Sequence, residues 1–218
     1  MTLMEKNITS LYSKKVAEYE WFVSAFLYPQ GLKAFFKQCG LLKSNFRILD
    51  AGCGTGIVSL ALIEALHSCK YSYKPLNAFD LSSTMLARFQ SKLDKRNIDD
   101  VTLHQANVLT LQELPTGWKN YDLIVSASML EYVPRDKLVT ALSGLRSLLS
   151  EQGTFLLFIT KRNFLMNFLI GHLWSSNLYS RQELIKAFSL AGFTKVVFRK
   201  FPFSFSWLNL WGYIIEAH

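Results

Sequence analysis

The sequence predicts an α/β fold, a doubly wound parallel sheet with helices on both faces, and three features carry the prediction. Short apolar runs rich in β-branched and aromatic residues alternate with stretches of helical spacing. A glycine-rich turn, Gly52-Cys53-Gly54-Thr55-Gly56, stands where the first strand would pass into the first helix. An acid, Asp80, closes the second strand. With 218 residues, half of them hydrophobic and 18 % charged, the chain has the composition of a single folded unit with a sizeable core.

The strands are expected at 47–50, 76–80, 101–104, 121–125 and 154–159, where the runs are short and bounded by polar or glycine residues. Helices are expected at 57–67, at 83–96 with Ser82 or Ser83 as N-cap, and at 134–149, which begins with a proline suited to a first helical turn. After the fifth strand the pattern changes. Residues 162–174 form an apolar, helical segment that reads as a lid, a membrane-touching helix or core. Ser180-Arg181-Gln182-Glu183 spells a capping box opening a helix that ends near Gly192. Strands follow at 196–201 and 211–216, and the alternation over 201–207 predicts an extended connection with one aromatic face.

The glycine turn carries the chemistry. Glycines at a strand-to-helix turn let the backbone pass close to a ligand at the N-terminus of the helix. The spacing is G-x-G-x-G, with Ile57 where a dinucleotide fingerprint needs a small residue, so a nicotinamide or flavin site fits poorly. Asp50, two positions before the first glycine, suits a cationic or hydrogen-bond-donating ligand. Asp80 is placed to accept from ribose hydroxyls, and Asp50, Asp80, Asn107 and Ser126 would converge at one crevice beyond the strand ends. Capping of a turn or helix is the alternative role for Asp50 and Asp80.

Together these motifs resemble class I S-adenosylmethionine-dependent methyltransferases. Ile48 to Gly56 is similar to the first motif of that family, Phe79-Asp80-Leu81-Ser82 to its acidic loop, and Tyr121 to Ser126 with Met129 to Val133 to its fourth-strand motif. Leu148 to Thr154 and Tyr179 to Phe193 resemble the turn into its fifth strand and the helix before its sixth. The resemblance implies a Rossmann-like seven-stranded, mostly parallel sheet with the last strand antiparallel, and a methyltransferase domain over 46–218 under an N-terminal helical cap, 1–45. It implies S-adenosyl-L-methionine as cofactor. Asp50 and the loop of Gly52, Cys53, Gly54 and Gly56 would hold its methionine portion, with Ser126 beside them. Asp80 would hold the ribose, Leu81 and Met85 the adenine face, and Asn107 with Val108 the adenine edge. Many members carry Asp where Asn107 stands.

The expected reaction is methyl transfer to a small or lipid-like, hydrophobic acceptor, with an RNA methyltransferase or a non-catalytic cofactor-binding protein as alternatives. Candidates for acceptor positioning or base catalysis are Tyr12 and Tyr19, seven apart on an N-terminal helix, Glu131 after the fourth strand, and His172 in the apolar segment. Cys53 lacks an activating neighbour in the sequence and reads as packing rather than nucleophile. The three cysteines form no CxxC pair, so neither a metal site nor a disulfide framework is expected.

The net charge of +8 is unevenly spread. Residues 48–160 hold 10 basic and 11 acidic side chains, 1–47 hold 7 and 3, and 161–218 hold 7 and 2. The charge therefore belongs to the segments around the sheet, where it bears on the acceptor and on peripheral membrane contact more than on nucleic acid. No secretory h-region or long apolar span is evident, which predicts a cytoplasmic protein, membrane-associated at most.

Overall fold

The computed structural model describes residues 27–161 and 176–218. Tyr12, Tyr19, His172 and the 162–174 segment lie outside the described residues.

Seven strands form one sheet: β1 (Ile48–Ala51), β2 (Leu76–Asp80), β3 (Val101–Gln105), β4 (Tyr121–Ala127), β5 (Leu149–Thr160), β6 (Val196–Arg199) and β7 (Gly212–Ala217). Their order is β3-β2-β1-β4-β5-β7-β6, and β7 alone runs against the direction of the other six. The doubly wound prediction holds, including the antiparallel last strand.

Helices α1 (Tyr28–Gln38), α2 (Ile57–Ser68) and α3 (Ser83–Arg96) serve one face; α4 (Leu138–Ser147) and α5 (Arg181–Leu190) serve the other. Each face has its own apolar cluster, so the sheet is buried on both sides and its strands read as continuous apolar runs. In α2 every residue from Val58 to Ile63 is buried, because the helix lies between the sheet and α1. Within the predicted cap, α1 buries Leu32, Phe35 and Phe36 at helical spacing, and Phe35 meets Phe158 and Phe201 edge-on at 5.6 and 6.1 Å.

The helix starts follow their sequence signals. Ser82 Oγ accepts from Met85 N at the head of α3. At the head of α5, Ser180 Oγ accepts from Glu183 N while Glu183 Oε2 accepts from Ser180 N. Ser180→Ala removes one half of this box and is expected to cost about 1 kcal/mol in urea denaturation. No change in the midpoint would show that α5 is held by packing alone.

Three expectations are corrected. β5 begins at Leu149, not 154: Tyr121 pairs with Leu149 and Leu123 with Thr154, so the polar stretch between them forms a bulge instead of ending the strand. Gly153 sits there because a Cβ would lie 2.5 Å from Tyr121 O. The predicted helix from Pro134 splits into a 3-10 turn, Arg135–Lys137, and α4. Finally, residues 203–210 are not extended but form a kinked 3-10 helix, Phe203–Leu210. Asn209 Oδ1 accepts from Phe201 N at 2.8 Å and Leu208 is buried, so a side-chain clamp and one apolar anchor override the period-two pattern.

Candidate functional site

The sheet order reverses between β1 and β4, so the chain leaves their C-terminal ends in opposite directions and opens a crevice there. Asp50 in β1, Asp80 at the end of β2, Ser126 in β4 and Asn107 just beyond β3 all stand at this end of the sheet.

The glycine loop is tied down by its own backbone and by Asp80. Gly52 N and Cys53 N both donate to Phe79 O at 2.9 Å, and Gly56 N donates to Cys53 O. Asp80 Oδ2 accepts from Gly54 N at 2.8 Å and its Oδ1 from Ser82 N at 2.9 Å. One carboxylate thus joins the first loop to the second. Lys92 of α3 braces the same loop, donating to Thr55 O and Oγ1. The three glycines have φ of +74°, +53° and +80°. A Cβ on Gly52 would lie 2.2 Å from Met129, and one on Gly56 2.1 Å from the Phe89 ring. At Gly54 it would meet nothing within 4 Å. Gly52 and Gly56 are required by packing, whereas Gly54 faces open space beside Asp80.

Asp50 is 1 % exposed. Ser59 Oγ donates to its Oδ2 at 2.6 Å, while Oδ1 is buried with no partner among the described residues. Burial pushes its carboxyl up to about 7, with the Ser59 bond opposing and the Asp80 charge adding to the shift. A buried carboxylate with an empty acceptor suits a ligand that brings a donor or a positive charge. Because the folded-state value lies above the unfolded one, the protonated form stabilises the fold. That contribution is full below about pH 4 and is lost as pH rises toward 7, with a ceiling of about 4 kcal/mol. Asp80 and Glu131 are also pushed up by burial, so the decisive quantity is the difference from Asp50→Asn. The variant is expected to lose less stability between pH 5 and 8 in chemical denaturation; parallel curves would contradict this account of Asp50.

The remaining predicted residues divide. Leu81 is half-buried; Met85 and Val108 are buried beside the loops that follow β2 and β3. Asn107 Oδ1 accepts from Leu109 N at 2.9 Å, shaping its own turn. Ser126 is fully buried and donates to Ala51 O, bracing β4 against β1 instead of presenting its hydroxyl to the crevice. Cys53 is buried and its thiol is pushed well up, chiefly by burial, which removes nucleophilic character. Glu131 is 2 % exposed, and Thr160 occupies both its oxygens: Oε2 accepts from Thr160 N and Oε1 from Thr160 Oγ1. It locks the end of β5 to the turn after β4. Ser59, Thr160, Met129 and Lys92 were not anticipated as supports. Ser59 alone carried a signal, a hydroxyl inside an otherwise apolar helical run.

The sequence matches the family described as "Methyltransferase domain" over residues 48–153, from the start of β1 into the bulge of β5. Residues 48–153 are thus a methyltransferase domain, set in a sheet of the class I fold. Its family uses S-adenosyl-L-methionine. Over 181 residues it is 26 % identical to the highly reducing polyketide synthase easB of Emericella nidulans, a stretch covering 78 % of the chain and 6 % of that synthase. The carbon methyltransferase of CurJ shares its fold at a TM-score of 0.63 and 20 % identity, covering 80 % of this chain and 48 % of that one. Magnesium protoporphyrin IX methyltransferase of Synechocystis, solved with bound S-adenosylmethionine, matches at 0.68 and 15 % identity over 100 % and 97 % of the two chains. The chain thus spans a small part of its synthase relative and about half of the CurJ chain.

The residues present fit the family's cofactor. The open face at Gly54, the Asp80 carboxylate beside it and the unmatched Asp50 oxygen offer space, an acceptor suited to a diol and an acceptor for a donor group. Among the described residues no helix is long and apolar enough to cross a membrane, and no cluster of His, Cys, Asp and Glu could hold a metal.

Proposed function

We propose that the protein transfers a methyl group from S-adenosylmethionine to a small or lipid-like, hydrophobic acceptor by direct in-line displacement. The observation that carries the cofactor half is the grouping, at the C-terminal ends of β1 and β2, of the open space at Gly54, the Asp80 carboxylate and the buried Asp50 oxygen with no partner among the described residues. When bound, the cofactor supplies a methyl already activated on a sulfonium, so no protein nucleophile is required. The chain's own part is to hold the cofactor through Asp50, Gly54 and Asp80, to align the acceptor and to exclude water.

The acceptor class is supported by the aromatic-rich flanks, which hold 22 of the chain's aromatic residues against 9 in 48–160. The likeness to the CurJ carbon methyltransferase supports a carbon acceptor. Methylating carbon requires removal of its proton, and Glu131, with both oxygens engaged by Thr160, is committed to structure. The base is accordingly sought among Tyr12, Tyr19 and His172.

The test is incubation of the purified protein with labelled cofactor and cell extract, split into lipid, aqueous and RNA fractions. Label is expected in the lipid or aqueous small-molecule fraction. Label confined to RNA would replace this acceptor class, and tight cofactor binding with no transfer to any fraction would make the protein a binding protein.

A further inference from the structure

We infer that the face built from residues 203–210 and the start of α1 docks on the surface of an anionic bilayer. Phe203 is 95 % exposed, Leu210 66 %, Leu27 44 % and Trp207 39 %. Phe203, Trp207 and Leu210 all lie on this one short segment, while Leu208 between them is buried. Exposure of this many large apolar side chains in one short segment is costly in water unless the face has a partner.

Packing joins α1 to this segment. Tyr28 and Phe201 meet edge-on at 6.2 Å, and a Cβ on Gly31 would lie 2.3 Å from Leu208 Cδ1. Leu27, immediately before α1, therefore adjoins the 203–210 face.

Charge selects the partner. Arg199 and Lys200, which lead into the segment, are exposed, and Lys161 donates to Asn209 O inside it. Partial burial, and then the Lys200 charge, hold the Lys161 ammonium below its usual range, consistent with cations crowded on this side. Neither α1 nor residues 184–215 contain an acidic residue; the next acid, Glu216, is buried and paired with Arg199 and His218. A row of Phe, Trp and Leu set among lysines and serines matches the interface between acyl chains and anionic headgroups. A second copy would bring two cationic faces of a +8 chain together.

The position also has a consequence for catalysis. β6 runs parallel to β5, since both are antiparallel to β7, so the segment after β6 leaves the sheet at the end that holds the cofactor site. Docking turns that end toward the bilayer. Supply of the acceptor from the membrane rests on the hydrophobic acceptor proposed above; the docking itself does not.

The test is flotation of the full chain with vesicles of phosphatidylcholine alone or with about 30 % phosphatidylglycerol, alongside calorimetry with S-adenosylhomocysteine. Wild type is expected to partition onto the anionic vesicles about tenfold more strongly than onto neutral ones, and less so at high salt. Phe203→Ser with Leu210→Ser should lower that partitioning about tenfold and Lys200→Glu should lower it severalfold, both with unchanged affinity for S-adenosylhomocysteine. Wild type that stays in solution with both vesicles, or a double variant that binds as wild type does, overturns the proposal. A dimer by light scattering that the double variant dissolves, without vesicle binding, reassigns the face to self-association. Loss of S-adenosylhomocysteine binding by wild type would overturn the cofactor assignment and leave the vesicle result standing.

Discussion

Asp80→Ala is expected to weaken binding of S-adenosylhomocysteine by about a hundredfold or more while leaving the protein folded. Two effects combine. Asp80 is assigned to accept from both ribose hydroxyls, and hydrogen bonds to a charged group contribute about 1.5–3 kcal/mol each, so losing the pair alone accounts for about two orders of magnitude. In addition, its oxygens now hold Gly54 N and Ser82 N, so the substitution frees the glycine loop at the residue whose outer face is open. Folding should survive, because Asp80 is only half-buried and Ser82 keeps its cap on Met85 N. Asp80→Asn separates the two effects. An amide keeps one acceptor oxygen but turns an NH2 toward one of the two backbone donors, so it should bind nearly as poorly as the alanine variant. Calorimetry reads both. An affinity within threefold of wild type in Asp80→Ala would remove Asp80 from the site.

The same two loops show where sequence reasoning succeeds and where it stops. The strands from β1 to β4 and the glycine turn were legible because each couples a local signal to a global need: an apolar run buried on both faces, then a residue that only a turn tolerates. The acid at the end of β2 was legible by position, and its bonds to Gly54 N and Ser82 N show that it ties the glycine loop to the loop after β2. For Glu131 the sequence names a candidate but not its partner: Thr160, which engages both its oxygens, lies 29 residues on and is brought close only by pairing of β4 with β5. Ser126 is similar: the sequence places it at a strand end, and only the neighbouring β1 carbonyl determines that its hydroxyl turns inward. The 203–210 segment shows the remaining weakness, since alternation of Phe with Ser is compatible with a 3-10 turn once Asn209 closes on Phe201. Local pattern identified the elements; long-range side-chain partners decided which polar residues remain available for chemistry.

The three glycines give the sharpest separation between structure and binding, and substituting alanine at two of them should produce opposite phenotypes. Gly56→Ala places a methyl 2.1 Å from the ring of Phe89, which is fully buried, at a residue whose φ is +80°. Overpacking at about 1–3 kcal/mol and left-handed backbone strain at about 1–2 kcal/mol together predict a loss of about 3–4 kcal/mol, enough to depress folding yield and the denaturation midpoint severely. Gly54→Ala carries the backbone strain alone, because its methyl meets no protein atom, and should cost about 1 kcal/mol. Yet that methyl would occupy the space assigned to the cofactor and should lower S-adenosylhomocysteine affinity by about tenfold or more. The comparison is informative because φ is positive at both positions, so the strain they share drops out of the difference. A Gly54→Ala protein that is nearly as stable as wild type but does not bind would place the cofactor against this loop. One that is stable and binds normally would show that the cofactor lies elsewhere, whatever the resemblance of the loop.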